Sequence, residues 1–269
     1  MIVLMFAAAP SAAAQDSGLT AGRFGWTDIG KGAQVAYIQA ELFGTMQSIS
    51  VLRYPEKRLR MRIVNDPGPE ADSTSALAIR HKALGAVNGS YFNMKTLEPV
   101  TYVKENRKVE GRTTNRETFR TDGLLAIRGR KVDIIRCDTL NYDDATKRCT
   151  DVLASGPVLL IDGWEARDEW PAESFYTKRH PRTFVGTTND GWVYLVVIDG
   201  RTKGKADGAT IHETARIARL LGLDNAINLD GGGSSTLWAR PEGVISNPCD
   251  NRRFDHAGQR RVPNIVIIK

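Results

Sequence analysis

Residues 192–236 read WVYLVVIDGRTKGKADGATIHETARIARLLGLDNAINLDGGGSST, and their pattern decides the fold. Val193–Ile198 is a continuous apolar run rich in β-branched residues, the mark of a buried strand, and it ends in Asp199-Gly200-Arg201. A polar loop leads to Thr210-x-x-Glu213, the spacing of a capping box, in which both side chains accept backbone N–H groups. Ile211, Ala215, Ala218 and Leu221 then recur at helical spacing until Gly222 stops the helix. Asn225–Leu229 reads as a second short strand, ending in Asp230-Gly231-Gly232-Gly233-Ser234-Ser235. Strand, crossover helix, strand predicts a βαβ unit with parallel strands. That would place Asp199 and Asp230 at one C-terminal sheet edge, where open α/β sheets bind ligands.

Working outward, Val35–Ile38 and Ile49–Tyr54 read as early strands, and Asn65–Pro69 as a turn. Asp72 or Ser73 caps a predicted helix running to about Leu84. Ala86–Asn88 reads as a buried strand, residues 95–122 as a long basic loop or hairpin, and 124–135 as a hairpin around Arg128-Gly129-Arg130. Ala154–Ile161 reads as one more buried strand. Thr183–Gly186 and Trp192–Ile198 flank Asn189-Asp190-Gly191, a hairpin turn signal. The expected fold class is α/β (α+β): a mixed β-sheet core with a βαβ unit and flanking helices. It forms a single domain over 34–269, preceded by a loose arm over 15–33.

The chain has 269 residues, a net charge of +6, 41% hydrophobic and 25% charged residues. That is ordinary globular composition, long enough to bury a core without disulfides or structural metal. It argues against a disordered chain, a fibre or a coiled coil. No apolar run reaches the ~18 residues of a membrane span. The densest basic stretch, Lys178-Arg179-His180-Pro181-Arg182, is short and has no accompanying nucleic-acid motif, so no nucleic-acid partner is expected. Residues 1–14, MIVLMFAAAPSAAA, resemble an export signal cleaved before Gln15, which makes a periplasmic or secreted protein the expectation. Cys137 and Cys149 flank a polar loop and are the favoured disulfide pair, with Cys249 left over.

Three consecutive glycines followed by Ser-Ser-Thr sacrifice chain entropy and contribute no packing. They let the backbone approach a ligand and offer N–H and hydroxyl donors to an anion. The segment is no P-loop, because no Gly-Lys-Ser/Thr follows. Asn88-Gly89-x-Tyr91-Phe92, His180-Pro181-Arg182-Thr183-x-x-Gly186, Val197-x-Asp199-Gly200-Arg201, the Glu213 helix, Asn228-Leu229-Asp230-Gly231-Gly232-Gly233-Ser234-Ser235-Thr236 and Arg260-Arg261-Val262-Pro263-Asn264 occur in that order. This ordered set, over about residues 75–269, resembles the phosphodiester glycosidase domain family. Its lysosomal member uncovers mannose 6-phosphate, and the family recurs in bacterial exported proteins. Ser90 departs from the small Gly usual at that position.

The resemblance implies hydrolysis of a sugar 1-phosphodiester, releasing sugar and leaving a phosphomonoester on an exported or envelope glycoconjugate. The residue types suit that task. Arg182, Arg201 and Arg261 are candidate phosphate clamps. Gly231–Gly233, Ser234 and Ser235 are candidate oxygen donors. Asp230 with Glu213 or Asp199 would form a glycosidase carboxylate pair. His180 would serve the leaving group, and Asn88, Gly89 and Asn228 the sugar or a carboxylate. No cofactor is required, although Asp199, Glu213 and Asp230 at one edge offer a site for Mg²⁺ or Ca²⁺. Two other functions fit a similar anion cradle. One is a non-catalytic glycan-binding or exopolysaccharide-associated envelope protein. The other is a nuclease or lipid phosphodiesterase cutting on the other side of phosphorus.

Overall fold

A computed structural model describes residues 24–269; the expected export signal and the first part of the arm lie outside them. Among the described residues the strands gather into sheets of eight, five, five and two. The eight-stranded sheet runs, edge to edge, Thr27–Gly30, Ala33–Leu42, Thr45–Pro55, Trp192–Ile198, Arg182–Thr187, Asn225–Asn228, Val158–Ile161 and Trp164–Glu165. Every neighbouring pair in it is antiparallel.

The class is α+β, as expected, and the two strands of the βαβ unit are separated by a third. The 182–187 strand lies between 192–198 and 225–228 and is antiparallel to both, with Phe184 opposite Val196 on one side and Asn228 on the other. The two outer strands therefore run in the same direction without touching, and their C-terminal ends still share one edge. The Val193–Ile198 run is apolar throughout because the strand is buried on both faces. Val193, Leu195 and Val197 face a core shared with the other sheets. Tyr194, Val196 and Ile198 pack under the Ile211–Leu220 helix with Ile211, Ala215 and Ala218. That helix begins with the predicted capping box, the Thr210 hydroxyl accepting from Glu213 N and the Glu213 carboxylate from Thr210 N.

One five-stranded sheet contains Gly123–Arg128, Lys131–Arg136, Asp151–Ser155, Val103–Glu105 and Lys108–Gly111. The other contains Gly85–Asn88, flanked by Leu237–Ala239 and Asn264–Ile268, with Gly243–Val244 and Met61–Asn65 at its edges. Leu195, Leu125 and Val266, one from each of the three larger sheets, meet in a single core. The expected strand over 154–161 is two strands in different sheets, 151–155 and 158–161, with Gly156-Pro157 carrying the chain between them.

Three further expectations change. The helix capped by Ser73 spans only Thr74–Arg80, because the chain turns at Lys82, whose φ is 55°. The arm already holds buried Phe24 and the Thr27–Gly30 strand. Cys137 and Cys149 are not paired: Cys137 N bonds Asp122 O at one end of the 123–128 strand, and Thr150, next to Cys149, bonds Ile127 O at the other. Five strand residues separate those ends by about 17 Å, far beyond the reach of a disulfide.

Candidate active site

Asp230 follows the 225–228 strand and is held by its backbone. Its N–H donates to Gly89 O at 3.0 Å, and its carbonyl accepts from Asn88 Nδ2 at 2.7 Å. Asn88 Oδ1 accepts from Thr183 Oγ1 at 2.8 Å and from Thr236 N at 3.2 Å. One buried asparagine thus joins three separate strand ends. Gly89 N donates to Asn264 O, and Ser90 N to Asn264 Oδ1, so the C-terminal motif clamps the first. Asn228 Nδ2 donates to the Tyr91 hydroxyl (3.1 Å), Gly156 O (2.8 Å) and Leu229 O (2.8 Å). Asn88 therefore brackets the Asp230 backbone, and Asn228 ties the end of its own strand to Tyr91 and Gly156.

The glycine run makes room for side chains. A Cβ on Gly233 would overlap the Asp250 carboxylate and the Arg260 guanidinium. Gly232 has φ +62°, and a Cβ there would meet Arg201 Nη2 at 3.0 Å. Its N–H donates to Pro181 O at 2.9 Å, and the Gly231 N–H serves the Asp230 carboxylate, so these two donors are already committed. The site's positive charge comes from guanidinium groups. Arg120 and Arg260 both act on the Asp230 carboxylate. Each is held by a carboxylate of its own: Arg120 by Glu117 at 2.5 Å, and Arg260 by Asp250 through two bonds of 2.8 Å. Arg201 lies over Gly232 with its backbone in the left-handed region, φ 64°, and points Nη1 at Cys249 Sγ, 3.7 Å away. Such a conformation is strained for a non-glycine residue and is typical of functional sites.

Asp230 remains partly open to solvent. Burial raises its carboxyl to about 6, against the opposing pull of Ser234, Arg120, Arg260 and the Gly231 N–H. The Ser234 hydroxyl favours the ionised form without reaching full hydrogen-bond geometry with any partner. Ser235 and Thr236 hydroxyls are likewise buried and unpartnered. A carboxylate raised by burial beside cations marks a candidate functional group.

Other predicted residues fall elsewhere. Asp199 is buried and accepts from Ser48 Oγ, Asn247 N and Asn247 Nδ2 at 2.6–2.9 Å, which ties the 247–250 loop to its strand. Burial raises its carboxyl too, against those three donors. Glu213 is committed to its capping box and to Arg179 at 2.5 Å. Both carboxylates are thus engaged by partners of their own, Asp199 by Ser48 and Asn247 and Glu213 by Thr210 and Arg179. Among the described residues no group of three His, Cys, Asp or Glu gathers to hold a metal ion.

Arg182 is 2% exposed and donates to Ala209 O, Phe175 O and Lys178 O, so it braces the interior. Arg261 donates to Ala71 O and Pro69 O. The backbone of His180 brackets Ala209. Burial, then Arg182, Arg201 and Lys178, lower its pKa and favour the neutral ring. Of the predicted set, the structure gathers Asp230, Gly231–Gly233, Ser234, Ser235 and Arg201, supported by Asn88, Gly89 and Asn228. Arg120, Glu117, Asp250 and Arg260 complete it and were not predicted as site residues.

The phosphodiester glycosidase family model matches residues 81–269, and the chain belongs to that family. It is 27% identical over 199 residues to bovine N-acetylglucosamine-1-phosphodiester alpha-N-acetylglucosaminidase. That alignment covers 68% of this chain and 36% of the bovine protein, so the chain spans about a third of that relative's length. The catalytic domain of the zebrafish enzyme of the same name, auto-inhibited by its pro-peptide, superposes with a TM-score of 0.69 at 19% identity, covering 88% of this chain and 82% of that one. A hypothetical protein from Synechocystis superposes with a TM-score of 0.65 at 14% identity, covering 88% of this chain and 62% of that one. At these identities the two structures speak for the fold alone.

Proposed function

We propose that the chain hydrolyses a sugar 1-phosphodiester at the bond between the anomeric carbon and oxygen. The observation that carries this reading is Asp230, a carboxylate titrating at about 6 between two guanidinium groups that are each anchored by another acid. Arg120, Arg260 and Arg201 hold the diester anion. The anomeric C–O bond breaks with its electron pair passing to the phosphate, a good leaving group that needs no proton. Asp230, ionised above pH about 6, stabilises the oxocarbenium-like centre while water adds to the anomeric carbon and releases a proton. In this reading the guanidinium groups supply the positive charge, and no cofactor takes part. The wider proposal makes 34–269 the catalytic domain of an exported protein acting on a glycoconjugate, with cleavage before Gln15. Recovery of the intact chain from the cytosol would contradict the export element.

The test is incubation with a panel of sugar-1-phosphate methyl diesters, beside Asp230→Asn. Free sugar plus methyl phosphate, lost in the folded variant, supports the reading. Sugar phosphate plus methanol contradicts it. Glycan binding without turnover on any diester would favour the envelope-binding alternative.

A further inference from the structure

A cleft of about 840 Å³ is lined in part by Arg120, the guanidinium that also acts on the Asp230 carboxylate. Its walls come from the basic 95–122 segment and the residues just before it. They combine two kinds of side chain. Phe92, Met94 and Phe119 are apolar, and Met94 and Phe119 are 58% and 54% exposed, among the most exposed large apolar residues described. Lys95, Arg116 and Arg120 are cationic. The acid within the cleft, Glu117, is neutralised by Arg120.

Arg120 is fixed rather than swinging. Its guanidinium lies 3.9 Å from the Tyr91 ring centre and 5.4 and 5.6 Å from those of Phe175 and Phe119. Those rings contact one another edge to face, Phe175 touching both Tyr91 and Phe119. A pinned cation thus marks the junction between the carboxylate and an exposed apolar surface. Apolar side chains left open in a cleft rimmed by charge indicate a ligand that covers them. Unbranched Met94 suits a conformable chain better than a rigid polar ring.

We propose that this cleft is the aglycone subsite and takes an aliphatic chain esterified to the phosphate, with the phosphate at Arg120 and the sugar at Asp230. The natural substrate class is then a sugar phosphodiester of a long-chain alcohol, an amphiphile rather than a purely polar glycan. The proposal rests on the glycosidase reading and adds the identity of the leaving side. Lys95 and Arg116 would draw in the anionic head, while Phe119, Met94 and Phe92 cover the chain.

The experiment compares kcat/KM for methyl, octyl and hexosyl phosphodiesters of one sugar in the full chain, and repeats the series with Phe119→Ser. The octyl diester should exceed the methyl diester by at least about tenfold, a small part of what burying the added methylenes can supply. In Phe119→Ser that ratio should fall toward one; because it is taken within each protein, a general loss of activity cancels. Calorimetry adds a readout independent of turnover: octyl phosphate should bind at least about tenfold more tightly than methyl phosphate, again less in the variant. Equal octyl and methyl rates, or a preference for the hexosyl diester, overturn the inference while leaving the glycosidase reading intact. Absence of any turnover would instead strike that reading, and the calorimetric comparison would still decide the cleft.

Discussion

Replacing Asp230 with Asn should stabilise the protein while abolishing its activity. The folded protein raises the Asp230 carboxyl from an ordinary 3.8 to about 6, so the native state disfavours its charge. At 1.36 kcal/mol per unit, roughly two units amount to at most about 3 kcal/mol. For a raised carboxyl the sign is definite. The effect vanishes only well below pH 3.8, where the group is protonated folded or unfolded. The cost grows as pH rises toward 6 and is complete above about 7. Asparagine resembles the protonated acid and escapes that cost, and Arg120 and Arg260 keep their partners Glu117 and Asp250. Partial solvent access lowers the figure, so a gain of about 1–3 kcal/mol is expected at pH 8 and at most about 0.5 kcal/mol at pH 4. Urea unfolding of wild type and variant at both pH values measures it. A variant that is less stable at pH 8, or whose advantage is the same at pH 4, would refute the assignment of a burial-strained carboxylate to this position.

The same titration gives a pH–rate profile: kcat/KM should fall about tenfold per unit below pH about 6 and level off above it, and a flat profile from 5 to 8 would contradict the role of Asp230. Arg260→Ala should cost about 10²–10³ in rate and Arg261→Ala almost nothing, since Arg260 acts on Asp230 whereas Arg261 is engaged by the Ala71 carbonyl; diester assays on both variants decide it. Glu213→Gln should lose about 1 kcal/mol of stability from its cap and ion pair yet keep near-normal activity, measured by unfolding and turnover of one sample. Asp199→Asn should cost about 1–3 kcal/mol, because a single amide oxygen cannot accept the three bonds now made to Ser48 and Asn247; a denaturation midpoint unchanged from wild type would count against that bracing role.

What was legible in the sequence follows from the range of the interaction behind each feature. The capping box at Thr210 and Glu213, the Asn189-Asp190-Gly191 hairpin and the Gly222 stop are encoded within a few residues, and the structure contains all three. The Asp230 turn was legible because a run of glycines has few purely structural uses. Sheet order was not legible. A strand buried on both faces shows the same apolar run whether its neighbour is parallel or antiparallel, and only long-range pairing puts 182–187 between 192–198 and 225–228. Arg120 lay hidden in a basic segment with no periodicity to single it out, far along the chain from Asp230. Arg260 and Arg261 were adjacent in one motif, and side-chain alternation sends them to different places: Arg260 to Asp250 beside Gly233, Arg261 to the carbonyls of Pro69 and Ala71. Glu213 and Asp199 carried the right chemistry but are committed to partners that sequence spacing does not reveal.

The position of bond cleavage is the central claim, and product identity alone does not settle it. Free sugar and an alkyl phosphate arise equally from attack at the anomeric carbon and from attack at phosphorus that expels the sugar. Hydrolysis in oxygen-18 water, followed by mass spectrometry of both products, separates the two. Attack at carbon, the outcome expected from an ionised Asp230 facing an oxocarbenium-like centre, places the label in the sugar and none in the phosphate. Label in the phosphate would mean phosphoryl chemistry and would contradict the account.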